Sequence, residues 1–354
     1  MLSFLTEPKF PKAAIGIERD SVTAVALQRG LGGQFSIKQA ASVEMPTKLL
    51  NPSFLERNIQ EPTQFRFLLE EAVTSAGLLA RKRWSVSLPS GTARTAIITL
   101  DASATSKRES EEIFDWKAEQ TFGAPAAQLR ITRQPISPDS EGRARYFATA
   151  VKLSVIDEYE TIFEQFRWNC GLILPRAISE TSWLMNGSSG DSLLISSQWD
   201  GFTAIMLKGS EPFVVRSVTC GDKEREDELF RLLMFYNDRF ADSASGRSLE
   251  RLLLVGKGFS PARIAEIATD AFGRVLTILR ADDIGLNLPM SSLDLDEIAA
   301  PAGLPACTST STSTPEGTSA FATDNCSLTC CTFASSTLGI PLPSTGNTCR
   351  NVMC

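Results

Sequence analysis

Apolar residues recur along this chain in a few clear periods, and the periods divide it into two similarly built halves. Residues 13–17 (Ala-Ala-Ile-Gly-Ile) are a short apolar run and residues 22–27 another, joined by Glu18, Arg19, Asp20 and Ser21. After the glycine-rich turn Gly30-Leu31-Gly32-Gly33, residues 34–43 alternate as a third strand would. Over 62–79, Phe65, Leu68, Leu69, Ala72, Val73 and Ala76 recur at three and four, which predicts an amphipathic helix with Gly77 near its end. Strands are predicted at 84–88, before Pro89, and at 95–100. A helix over 109–122 has Ile113, Trp116 and Phe122 as its candidate buried positions. Two more strands, 129–135 and 146–151, flank a polar turn at 137–142. Val155, Ile156, Tyr159, Ile162, Phe163 and Phe166 then form one stripe of a helix packed on a sheet.

Gly187-Ser188-Ser189-Gly190-Asp191 is the best internal boundary, and a second meander follows at 192–196, 202–207 and 212–218. A helix over 224–240 carries Leu229, Leu233, Tyr236 and Phe240 on one side. A buried strand at 251–255, a helix at 261–271 and a strand at 274–279 complete the half. A β-meander thus opens each half, with helices and further strands after it. This duplication predicts an α/β, two-domain, actin-like fold whose halves enclose a cleft able to hold a nucleotide.

Composition narrows the chemistry. The 354 residues are 43% hydrophobic and 21% charged, ordinary for a globular chain long enough for two cores. A net charge of -6 argues against nucleic acid as the main partner, although it leaves room for a local basic patch. Histidine is absent, which removes Ser-His-Asp and Cys-His triads and HExxH metal sites, and no P-loop sequence occurs. The N-terminal residues lack a basic region and a long apolar stretch, and no run of about 18 apolar residues appears. The expectation is a cytoplasmic protein that reaches membranes only through partners. Cys170 and Cys220 read as small buried hydrophobes. The other six cysteines crowd between Cys307 and Cys354 in a Ser/Thr-rich stretch. A cytoplasmic setting disfavours disulfides there, and without His or a paired CxxC no metal site is expected.

Several segments in order resemble the type IV pilus assembly protein PilM family. They are residues 16–27 (its opening strand-turn-strand), 86–90, 155–159, Cys170-Gly171-Leu172 (its "aGL" turn), 213–218, 231–236 and 252–258. The likeness runs over roughly residues 13–300, with Ile298 to Leu304 resembling the start of the family's closing helix. It implies a first domain over 1–187 interrupted by a 1C-type insertion at about 90–152, and a second domain over 188–304. It also implies a reduced or absent 2B subdomain, because Gly221 leads almost directly into the helix beginning at Glu224. Residues 305–354 lose all family character and are expected to be a low-complexity tail, disordered or frame-shifted.

The resemblance also implies an ATP site with Mg, built on three loops, and here those loops are worn. Glu18 stands where the family has Asp, and Arg19-Asp20 replace the expected glycine, so a side chain at positive φ would be strained. In the second loop Ser196 replaces the metal-side carboxylate, with Asp200 nearby and Thr203 following. The third, Gly256-Lys257-Gly258, is nearly intact, but it reads equally as a strand-to-helix turn. The candidate cofactor-binding residues are Glu18, Ser21, Thr203, Gly256 and Gly258, with no catalytic or metal residue assigned and no ATP hydrolysis expected. By the same resemblance the chain docks the N-terminal peptide of a PilN-like inner-membrane protein and links it to pilus motor ATPases; a homo-oligomer is compatible with this. The alternatives are an active actin-fold ATPase and the cytoplasmic domain of a type II secretion protein L.

Overall fold

The computed structural model describes residues 10–30, 34–101, 106–185, 190–241, 247–288 and 293–310, apart from the side chains of Lys107 and residues 307–310. β1 (Ala13–Ile17) is buried at every position, because its sheet is covered on both faces. It pairs antiparallel with β2 (Ser21–Arg29), and β2 pairs antiparallel with β3 (Phe35–Glu44). α1 (Pro62–Ser75) crosses over to β4 (Arg83–Leu88), which lies parallel to β1 on its other side. α3 (Leu153–Gln165) leads to β8 (Asn169–Pro175), parallel to β4. Numbered along this half, the strands lie in the order 3-2-1-4-5, and the short β14 (Leu286–Asn287) is added beside β3.

The second half repeats that order. β9 (Asp191–Gln198), β10 (Gly201–Lys208) and β11 (Glu211–Thr219) form the meander. α5 (Arg225–Arg239) crosses to β12 (Leu249–Val255), and α6 (Pro261–Phe272) crosses to β13 (Thr277–Leu279), giving again 3-2-1-4-5. β11 reaches α5 through residues 220–224 alone.

A third, antiparallel sheet lies between β4 and α3 in the chain. It consists of β5 (Ala93–Thr99), β6 (Leu129–Ile136) and β7 (Arg145–Lys152) in the order β5-β7-β6, and it is packed by α2 (Lys107–Phe122). α2 buries Phe114, Ala118 and Phe122, an i, i+4, i+8 stripe. Trp116 is two residues off that stripe and is 57% exposed, so the expected burial of Trp116 is wrong.

Two helices join the halves, one of six residues and the other longer. α4 (Arg176–Thr181) follows β8, and α7 (Leu295–Thr310) packs against α4, β1, β2 and β4. Ile298, Ala302 and Leu304 of α7 and Trp183, just after α4, form one hydrophobic core with Leu194 and Leu253 of the second sheet and Val25 and Leu172 of the first. Pro301 packs close to Gly16, and a Cβ at Gly303 would meet the Ser179 carbonyl at 2.1 Å. Trp183 Nε1 donates to the Ala299 carbonyl (2.8 Å) and Ser182 Oγ to the Gly303 carbonyl (2.9 Å), fastening α7 to the segment that follows α4.

Other departures from the sequence reading are local. Cys170-Gly171-Leu172 lies in β8, not in a turn: Cys170 pairs with Trp84 and Leu172 with Ser85 of β4, and Gly171 sits at a bulge between them. The strand expected at 274–279 shortens to β13. α4 had no sequence signal, being only six residues long. α7 continues to Thr310, into the segment expected as a tail; the rest of that tail lies outside the described residues, as does 186–189 of the expected boundary. Cys170 is buried, and burial pushes its thiol pKa up, whereas Cys220 is only half-buried.

Candidate functional site: the cleft between the halves

Three turns converge at one end of the two sheets. The β1–β2 turn supplies Glu18, Arg19, Asp20 and Ser21, the β9–β10 turn Ser197, Gln198 and Trp199, and the β12–α6 turn Gly256, Lys257 and Gly258. They face a cleft of about 690 Å3, whose outer wall includes Thr47 and Pro52. The wall segment is held by the fully buried Asn58. Its Nδ2 donates to the Ser53 and Glu56 carbonyls (both 2.8 Å), and its Oδ1 accepts from Thr92 (3.0 Å) and Tyr159 (3.2 Å).

Two arginines organise the floor. Arg176, the first residue of α4, has a side chain only 8% exposed. It pairs through Nη1 with Glu18 (2.9 Å) and through Nε with Glu180 one helical turn on (2.7 Å). Burial pushes the Glu18 carboxyl up to about 7, outweighing the attraction of Arg176, and burial also raises Glu180. Arg225, the first residue of α5 and 3% exposed, donates to Ser197 Oγ (2.8 Å) and to the carbonyls of Gln198 (2.7 Å) and Trp199 (3.1 Å). It also pairs with Asp222 (3.1 Å). It satisfies backbone acceptors of a turn that ends its own strand pairing there.

These guanidinium groups explain the third loop. Gly256 and Gly258 have φ of +92° and +101°. A Cβ at Gly256 would meet the Ser197 carbonyl at 2.4 Å and Arg176 at 3.0 Å; one at Gly258 would meet Arg225 at 2.5 Å. The Gly256 N–H donates to Asp296 at the start of α7 (2.7 Å). Across the cleft mouth, the Arg19 guanidinium lies 4.2 Å from the Trp199 ring centroid, tying the first turn to the second. A double-mutant cycle of Arg19→Ala and Trp199→Ala, read by urea unfolding, is expected to return a coupling of about 0.5–2 kcal/mol.

Glu18, Ser21, Gly256 and Gly258 therefore meet in one cleft, and Thr203 does not. Thr203 lies on β10, sharing a hydrogen bond with Ser217 (3.2 Å), and is not among the lining residues; nor is Asp200. Ser196 is fully buried at the end of β9. The strain expected at Arg19 and Asp20 is absent: among the described residues only Arg167 is a non-glycine at positive φ. Glu18 N–H closes the turn on the Ser21 carbonyl (2.8 Å). Arg176, Arg225 and Asp296 escaped sequence reasoning. Arg225 did leave a trace, as a cation in a helix start otherwise acidic at Glu226, Asp227 and Glu228, against the helix dipole.

Two sheets of identical 3-2-1-4-5 order, facing each other across a cleft, have a counterpart among solved structures. A PilM–PilN type IV pilus biogenesis complex superposes with a TM-score of 0.67 at 16% identity, over 84% of this chain and 99% of the matched one. This chain has an actin-like fold. Two other structures overlap with lower scores. A protein of unknown function with an actin-like ATPase fold from Bacteroides thetaiotaomicron has a TM-score of 0.42 at 12% identity, covering 84% of this chain and 98% of the other. The cytoplasmic domain of EpsL, an inner-membrane component of the type II secretion system of Vibrio cholerae, has 0.44 at 10%, covering 85% and 95%. No family model matches the sequence, and no curated protein matches it. The actin-like halves here meet at the arginine-lined cleft.

Proposed function

We propose that this chain is an actin-fold adaptor of a type IV pilus or related secretion machine. It docks the short cytoplasmic N-terminus of a PilN-like inner-membrane protein and links that protein to the motor ATPases. The observation that carries this reading is the fold shared with the PilM–PilN complex along 99% of the matched chain. The chain then works peripherally at the inner membrane; among the described residues no helix is long and apolar enough to cross it.

In this reading the cleft is a structural joint and not an ATP site. An actin-like fold implies a nucleotide with Mg there, and the residues do not fit one. The Gly256 N–H, which a phosphate would need, is given to Asp296. The glycine faces a phosphate would approach lie against Arg176 and Arg225. Glu18, at the expected metal side, is ion-paired with Arg176. The active-ATPase alternative keeps one observation in its favour, the two glycines at positive φ in the third loop.

The docking role is tested by fluorescence anisotropy with labelled N-terminal peptides of the bitopic membrane proteins encoded beside this gene. Saturable binding to one such peptide, lost when its sequence is scrambled, is the expected result. No binding to any of them would remove the proposal's basis.

A further inference from the structure

The third sheet belongs to the first half by chain order, yet it reaches the second. Its strands carry two apolar faces, because neighbours along a strand point to opposite sides. Ile98 and Ala148 belong to the core beneath α2. Ile97 and Phe147, paired across β5 and β7, face the other way, as does Ile136, which pairs with Arg145. These three belong to the core that holds Ile205 and Leu207 of β10 and Val215 of β11. β5 itself lies against β11, the outer strand of the second sheet. Polar contacts close the seam. Ser137 donates to Glu211 from its N–H (2.8 Å) and from its Oγ (2.7 Å), and Arg145 Nη2 donates to the Phe213 carbonyl (3.4 Å).

The start of the same sheet is fixed at the cleft mouth. Pro89 and Ser90 line the cleft, and β5 begins at Ala93. Gly91 stands against the outer wall, where a Cβ would lie 3.3 Å from the Pro52 carbonyl. Arg94 ties the sheet to that wall segment: its guanidinium lies 4.5 Å from the Phe54 ring centroid, and its Nη1 donates to the Phe122 carbonyl (2.6 Å).

We propose that the third sheet is a strap between the halves: rooted at the cleft mouth and fastened to β11, it sets how far the cleft opens. Apolar burial is non-directional, so the meeting of the two faces does not by itself fix where the sheet seats. The hydrogen bonds to Glu211 and to the Phe213 carbonyl supply that register. α4 and α7 join the halves at the floor of the cleft, and the strap is a second link between them, away from that joint. With both links made, the halves keep one separation; with the strap unfastened, they turn about the joint. The inference does not depend on the adaptor role.

Hydrogen–deuterium exchange of the full chain tests it, with wild type compared against Glu211→Ala. Removing that carboxylate leaves both Ser137 donors without their acceptor and keeps the apolar faces intact. Exchange is expected to rise about fivefold, the ratio that one net hydrogen bond supports, in β5 and β11 and also in the cleft peptides spanning 86–92 and 195–202. β1 and β2, away from the seam, should keep their wild-type rates. Glu266→Ala, which removes an exposed carboxylate of α6 from the same half, should change none of these peptides. A rise confined to residues 136–138 and 210–212 would overturn the proposal, because a purely local contact would produce it. Unchanged exchange in Glu211→Ala would overturn it too, as would an equal rise throughout the chain.

Discussion

Replacing Arg176 by methionine lowers the free energy of unfolding by about 3–5 kcal/mol, measured by urea denaturation at neutral pH. Methionine keeps much of the side-chain volume but leaves Glu18 and Glu180 facing each other without a counter-charge, and Glu180 is fully buried. The cost is that of desolvated, unpaired carboxylates, not of lost packing. The triple variant Glu18→Gln/Arg176→Met/Glu180→Gln separates the two causes. It should recover most of the loss, because a neutral cluster no longer strands buried charge. A triple variant as unstable as Arg176→Met would mean that the guanidinium acts mainly by filling space.

Stability also depends on pH through Glu18. Its folded pKa of about 7 lies above the ordinary value of 4.5, so between these values the folded chain holds a proton that the unfolded chain releases. The group's contribution is full below the ordinary value and is lost as pH rises through the folded one. With a side chain about one-fifth exposed, solvent screening trims the effect, and the loss from about pH 5 to about pH 8 is expected to be about 2–3 kcal/mol. Glu18→Gln, which mimics the protonated form, should flatten this part of the profile and be the more stable protein at the alkaline end. Parallel wild-type and variant profiles would show that Glu18 does not titrate in this window.

Much of the fold was legible because it follows from burial periods. The helices at 62–75, 153–165 and 225–239 have stripes at three and four, and both meanders are short apolar runs separated by polar turns. The meander that opens each half came through for the same reason, whereas the 3-2-1-4-5 order of the strands emerged only from the structure. Trp116 is exposed because α2 turns the face of Phe114, Ala118 and Phe122 to its sheet, and Trp116 lies off that face. The cleft was half legible. Its glycines and Glu18 sit in turns that can be read from the chain, but α4 is too short to show a period, and Arg176 and Arg225 look like surface cations in sequence. Beyond the local Glu180 and Asp222, their partners lie elsewhere in the chain: Glu18 is far from Arg176, and Ser197 to Trp199 precede Arg225 by a whole hairpin. Only the packing of the two halves shows that the third-loop glycines make room for guanidinium groups.

The proposal at stake is that the cleft is filled and bridged by its own side chains, Arg19 on Trp199 among them, and not by nucleotide, so that the chain acts by docking. Isothermal titration of the purified full chain with Mg-ATP tests it most directly. No heat of binding up to millimolar nucleotide is the result this account predicts. Saturable binding in the micromolar range would contradict it and return the cleft to the ATP site that the fold implies.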